Sequence, residues 1–168
     1  RRTAKKGREV IKRITDQRET ERIDRRSVVE ECVGTVRDRY PEGAIAVDAL
    51  DPVTVDGRCE RRSAVSELLE NPFQHSEDRA PTVTVRLSRT EDGADLVIED
   101  DLAAIPAVEA DVLTGDHDMT NVYHSSGLGF WLIYWSVELS NGSIAVDADP
   151  TGRERGNRIT VSLPRATE

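Results

Sequence analysis

Glu67 and Asn71 stand one helical turn apart in a segment whose apolar residues, Val65, Leu68, Leu69 and Phe73, recur at helical spacing. Both polar groups therefore project from one face of one helix. A carboxamide oxygen suits a hard cation that keeps waters and phosphate oxygens in the rest of its shell. Further along, Asp100 closes a run in which apolar and polar residues alternate, so a carboxylate lies at a strand end. Gly127-Leu128-Gly129 then opens an apolar stretch, and glycines at a helix start let backbone amides face an anion that the helix dipole favours. Each feature has a plainer reading. An Asn on an amphipathic helix is commonly a surface residue or a cap, a charged strand end is ordinary, and glycines often precede helices.

The surrounding pattern sets the elements that hold these groups. Arg2 to about Asp24 is charge-dense with Val10, Ile11 and Ile14 at helical spacing, a helix with one narrow apolar stripe that needs a partner or packs on its own domain. Ser27 and Glu30 form a capping box for a helix that buries Val28, Val29, Cys32, Val33 and Val36 and ends before Pro41. Two β-like runs follow, Ala44–Asp48 and Val53–Asp56, split by Asp51-Pro52, after which Asp56 caps the helix that carries Asn71 and closes near His75-Ser76. Thr82–Leu87 and Ala94–Ile98 flank Glu91-Asp92-Gly93 as a hairpin. Glu109 to Ser126 is polar and poorly periodic, which predicts a long loop of the functional or disordered kind. Gly127–Leu139 predicts a buried helix ended by Asn141-Gly142, and Ser143–Val146 and Arg158–Leu163 supply the last strands. The sum is an α/β fold, a two-layer sandwich with helices on one face of a mixed, mostly antiparallel sheet.

Composition narrows the function classes. The net charge of −9 is uneven: residues 1–26 hold 11 basic and 5 acidic side chains, leaving 12 basic and 27 acidic over 27–168. An acidic body repels phosphate backbones, which excludes nucleic acid as its partner. Lys5, Lys6 and Lys12 are the only lysines, and carboxylate excess with lysine depletion resembles proteins of salt-loving archaea. The stretch Gly127–Leu139 is too short to span a bilayer and nothing apolar follows the basic N-terminus, so a soluble, cytoplasmic piece is expected, its parent open to membrane association. Cys32 and Cys59 lack metal-ligand spacing and are expected to be reduced core thiols.

Three segments, in this order, resemble the boxes of the GHKL superfamily (gyrase, Hsp90-type chaperones, histidine kinases and MutL-type repair proteins), and most of all sensor histidine kinases. Glu67-Leu68-Leu69-Glu70-Asn71-Pro72-Phe73-Gln74-His75-Ser76 is similar to their asparagine box, Glu99-Asp100-Asp101-Leu102-Ala103-Ala104-Ile105-Pro106 to their first glycine box, and His124-Ser125-Ser126-Gly127-Leu128-Gly129-Phe130-Trp131 to the second. The resemblance covers about residues 27–165 and implies the Bergerat ATP-binding fold. It implies that Asn71 holds the Mg2+ that bridges the ATP phosphates, and that Glu67 takes the place of the general base of the ATP-hydrolysing branches. It further implies that Asp100 accepts a hydrogen bond from the adenine amino group. His75, Ile105, Ser126, Gly127, Leu128, Gly129 and Thr160 complete the expected nucleotide site. Residues 1–26 fit the second helix of the dimerisation and phosphotransfer hairpin, with residues 27–168 as the catalytic domain. Expected partners are the phosphoacceptor helix of the parent kinase, a response regulator, and a second copy docked through the N-terminal helix.

The sequence departs from that pattern at named positions. Leu102 and Ala104 replace two glycines, Gln74 stands where a basic residue often reaches the phosphates, and Asn157 stands where a threonine is usual. Pro72 should cost its helix about 3 kcal/mol unless the helix is already ending. The only histidines are His75, His117 and His124, none placed as the family's acceptor. Two alternatives therefore stand beside the kinase: a pseudokinase scaffold with weak or no ATP binding, and an ATPase using Glu67 as hydrolytic base.

Overall fold

A computed structural model of the protein describes residues 21–57, 60–76, 79–116, 125–152 and 155–165. In chain order the elements are β1 (Glu21–Asp24), α1 (Arg25–Arg39), β2 (Ala44–Leu50), β3 (Thr54–Gly57), α2 (Glu60–Gln74), β4 (Thr82–Arg89), β5 (Gly93–Ala103), α3 (Ala107–Thr114), α4 (Ser125–Glu138), β6 (Ser143–Ala148) and β7 (Arg155–Pro164). Five strands make one sheet in the order β2-β4-β5-β7-β6, parallel only between β2 and β4. The mixed, mostly antiparallel sheet under a layer of helices is the architecture expected from the pattern. β1 and β3 form a separate antiparallel pair.

Alternation along the strands sorts the two faces. Val83, Val85 and Leu87 on β4, Ala94, Leu96 and Ile98 on β5, and Ile159, Val161 and Leu163 on β7 are buried in the core with the apolar sides of the helices. The helices lie side by side as α1, α2, α4, α3. Burying one such large aliphatic side chain is worth about 1.5–3 kcal/mol, so this shared interior dominates what holds the layers together. The residues between, among them Arg86, Glu99, Arg158, Thr160 and Ser162, stand on the other face, where Arg158 bridges Glu99 at 3.0 Å and Asp147 at 3.9 Å. Such exposed pairs contribute little to stability.

Several boundaries differ from the sequence reading for local reasons. α1 begins at Arg25, because Asp24, and not Ser27, is its cap: the Asp24 carboxylate accepts from the Arg26 N–H at 3.1 Å and the Ser27 hydroxyl at 2.9 Å. Asp24→Ala should lower the free energy of unfolding by about 1 kcal/mol. Urea unfolding monitored by circular dichroism reads this, and an unchanged midpoint would remove the cap's contribution. Of the helix expected over Arg2–Asp24, residues 2–20 lie outside the described residues and 21–24 are strand β1. Asp56, expected to cap α2, is paired with Arg22 within the β1–β3 ladder, and α2 is described from Glu60. α2 runs through Pro72 to Gln74, so the proline sits in the last turn, where it forfeits the N–H bond to the Leu68 carbonyl with only two helical residues beyond it.

The long loop expected over Glu109–Ser126 is corrected at both ends. Ala107–Thr114 is helix α3, which buries Val112 and Leu113 and stops at Gly115 with φ +80°, and α4 already starts at Ser125. Residues 117–124, with His117 and His124, lie outside the described residues. α4 ends as expected, Asn141 taking the left-handed conformation (φ 55°) while the Gly142 N–H donates to the Val137 carbonyl at 3.0 Å. Cys32 is buried, its sulfur accepting from the Ser66 hydroxyl at 3.4 Å, and Cys59 lies outside the described residues. Among the described residues no helix is long and apolar enough to cross a membrane.

Candidate functional site

A cavity of about 480 Å³ opens between the end of α2, the end of β5 and the start of α3. Asn71 and His75 line it from α2 and the residue after, Asp100 and Ile105 from β5 and the residues beyond. Apolar walls come from Pro72, Leu102, Pro106 and Phe130. Four residues of the expected site, from two separate stretches of chain, thus meet around one space.

Asp100 is half-buried, and its carboxyl is held above the usual carboxylate range, first because burial penalises the charge, with the neighbouring Asp101 adding to it. Two hydrogen bonds work the other way, from the Asn157 side-chain amide and the Leu102 N–H, both to Oδ1 at 3.0 Å. Among the described residues Oδ2 has no donor, which leaves one acceptor for a ligand's N–H. Among the described residues the Asn71 carboxamide has no hydrogen-bond partner, while its carbonyl accepts from the His75 N–H at 3.2 Å. Among the described residues no three His, Cys, Asp or Glu side chains cluster as a metal cage. A single carboxamide oxygen is the kind of ligand Mg2+ takes, since that ion uses few protein groups and completes its shell with other oxygens and water.

Glu67 stands one turn before Asn71, outside the cavity wall, with its carboxylate against α4: a Cβ on Gly129 would lie 3.0 Å from Oε2. Gly129 is the fifth residue of α4, so its N–H falls within the i→i−4 ladder, and its part is to leave room for Glu67. Ser126 and Gly127, by contrast, fall in the first turn, where amides have no intrahelical acceptor. Leu128 is in the same turn.

Thr160 is not at the site. It faces Val97 and Ala145 across the sheet, and a period of two from buried Asn157 and Ile159 puts it on the opposite face. Asn157 holds the place instead. Two cations went unread in the sequence, Arg79 and Arg155, both lining the cavity. Arg79 donates to the Asp101 carbonyl at 2.8 Å and pairs with its carboxylate at 2.9 Å. A lone arginine before a strand, like Arg79, or at the first position of one, like Arg155, carries no periodic signal; only the strand end they flank could have pointed to them. Gln74 turns away and donates to buried Glu70 at 3.3 Å, which also pairs with Arg39.

The chain belongs to the histidine kinase-, DNA gyrase B- and HSP90-like ATPase family, whose match spans residues 61–167. Among solved structures it is similar to the mycobacterial sensor histidine kinase MprB, with 27% identity and TM-score 0.74 over 89% of this chain and 100% of that one. The catalytic domain of histidine kinase ThkA (11%, TM-score 0.72, 89% and 97% covered) shares the fold. So does the ATP binding domain of PrrB from Mycobacterium tuberculosis (18%, TM-score 0.66, 89% and 100% covered). No curated protein matches the sequence.

Proposed function

We propose that this chain binds Mg-ATP and serves as the catalytic domain of a two-component sensor histidine kinase, passing the γ-phosphoryl group to a histidine on a neighbouring helix. The observation that carries the reading is the convergence of Asn71, Asp100 and Ile105 on one cavity, which Phe130 of α4 also lines. Asp100 would accept from the adenine amino group, the apolar walls would flank the purine, and Arg79, Arg155 and the amides of Ser126 and Gly127 would face the phosphates. Asn71 would hold a magnesium ion, which would supply charge neutralisation for the phosphates. Catalysis is then positioning and electrostatics. In this reading residues 1–26 belong to a dimerising hairpin shared with a second copy, and a response regulator takes the phosphoryl group onward.

Calorimetric titration with ATP and a non-hydrolysable analogue, in high salt because the body is acidic, tests it. Saturable one-to-one binding that requires magnesium is the expected result. The second reading, a pseudokinase scaffold, draws on Leu102 in the cavity wall and on Gln74 turned towards Glu70. Absence of any ATP heat would favour the scaffold.

A further inference from the structure

The segment after Asp100 lacks both expected glycines, yet its backbone does not need them. β5 stays extended to Ala103, with a slip in register against β7 between Asp100 and Ala103, and neither Leu102 nor Ala104 has positive φ. The positive φ stands on the facing strand. Gly156 has φ +89°, and a Cβ there would meet the Asp100 carbonyl oxygen at 3.2 Å.

Beside it, Asn157 is 2% exposed and commits its whole carboxamide to this segment. Nδ2 donates to Asp100 Oδ1 at 3.0 Å and to the Ala103 carbonyl at 3.0 Å, while Oδ1 accepts the Ile105 N–H at 2.7 Å. The opposite amide orientation would set an oxygen against two acceptors and an NH₂ against a donor, so the network fixes which end is which. Asp100 Oδ1 also accepts from the Leu102 N–H at 3.0 Å. That oxygen is saturated by protein, and the carboxylate is held with Oδ2 as its remaining acceptor.

We propose that Asn157, seated by Gly156, is the positioning residue that fixes Asp100 for purine recognition in place of the missing glycines, and so sets a preference for 6-amino over 6-oxo purine nucleotides. The inference rests on the ATP-binding reading. A fixed Oδ2 acceptor takes a 6-amino N–H and repels the oxygen of a 6-oxo group. Without the Asn157 amide, Asp100 gains rotational freedom and loses a hydrogen bond that favours its charged form. A carboxyl that turns or takes up a proton can donate to a 6-oxo group, and discrimination falls.

The test compares wild type, N157A and N157T by calorimetry with Mg-ATP, Mg-ITP and inorganic tripolyphosphate, alongside amide hydrogen exchange at Leu102 and Ile105. Wild type should prefer ATP over ITP by about tenfold or more, the scale of one charge-assisted hydrogen bond. N157A should bring that ratio close to one and speed exchange at both amides, with tripolyphosphate binding unchanged. N157T, whose hydroxyl can donate to Asp100 but cannot also hold Ala103 and Ile105, should restore part of the ratio while exchange at Ile105 stays fast. If N157A does not fold, N157T carries the comparison. An unchanged ratio in the folded variants, or equal weakening of all three ligands with a lower melting temperature, overturns the assignment. A wild type that binds neither nucleotide overturns the ATP reading itself and this role with it. A wild type and an N157A that discriminate equally refute the role of Asn157 alone.

Discussion

Asp100→Asn is expected to weaken ATP binding by about 1–3 kcal/mol, roughly 5- to 150-fold, while leaving the chain as stable as before or more so. The two effects part because the carboxylate is useful to a ligand and costly to the fold. Burial raises the Asp100 carboxyl above its usual range and outweighs the bonds from Asn157 and Leu102. The folded state thus holds this proton more tightly than the unfolded state. Asp100 therefore favours folding below its ordinary pKa, and that contribution is lost as pH rises through the raised folded value. An Asn keeps an oxygen for both donors and carries no charge to desolvate. Its stability advantage over the wild type should grow as pH climbs from about 4 and close in acid. ATP affinity of the wild type should fall as pH drops through the raised value, and that of the variant should not follow. Titration calorimetry and thermal melts across pH read both arms. Equal affinity of the wild type for ATP and GTP, or a variant that binds as well as the parent, would remove Asp100 from adenine recognition.

The helices that frame this carboxylate were legible because burial is periodic. Val65, Leu68, Leu69 and Phe73 recur at the spacing of one helix face, and all four are buried where that face meets the sheet. α3 was not legible. Its 8 residues place only Val112 and Leu113 inside, too few for a period to emerge from Glu109, Ala110 and Asp111 around them. The end of β5 was misjudged for another reason: a segment similar to a glycine box reads as a loop, whereas pairing with β7 keeps it extended through Ala103. Asn71, Asp100 and Ile105 were readable as motif positions. Asn157 was visible only as a departure from a pattern, because the three bonds that define its part join residues more than fifty positions away in the chain.

Transfer chemistry separates the kinase from the scaffold most sharply. Incubated with γ-labelled Mg-ATP, this chain alone should stay unlabelled on histidine, whereas an added helix bearing an acceptor histidine should take up acid-labile label. Phosphoryl transfer needs the acceptor nitrogen in line with the γ-phosphate, and His75, exposed at the cavity rim directly after α2, is tied by its backbone N–H to Asn71 and placed to contact the nucleotide. Glu67 should govern the rate of the step. The family resemblance gives Glu67 the position of the general base, and its carboxylate lies against α4 in the room that Gly129 leaves. As a general base it is worth about 10²–10⁴-fold, so Glu67→Gln should slow labelling of the added helix by that factor while ATP affinity holds, since its carboxylate is not part of the cavity wall. A variant that labels the helix at the parental rate would strip Glu67 of the role and leave positioning by Asn71 and the α4 amides as the whole of catalysis. A chain that binds ATP yet labels no supplied helix would leave the fold with a nucleotide and no transfer, which is how a scaffold gated by ATP behaves.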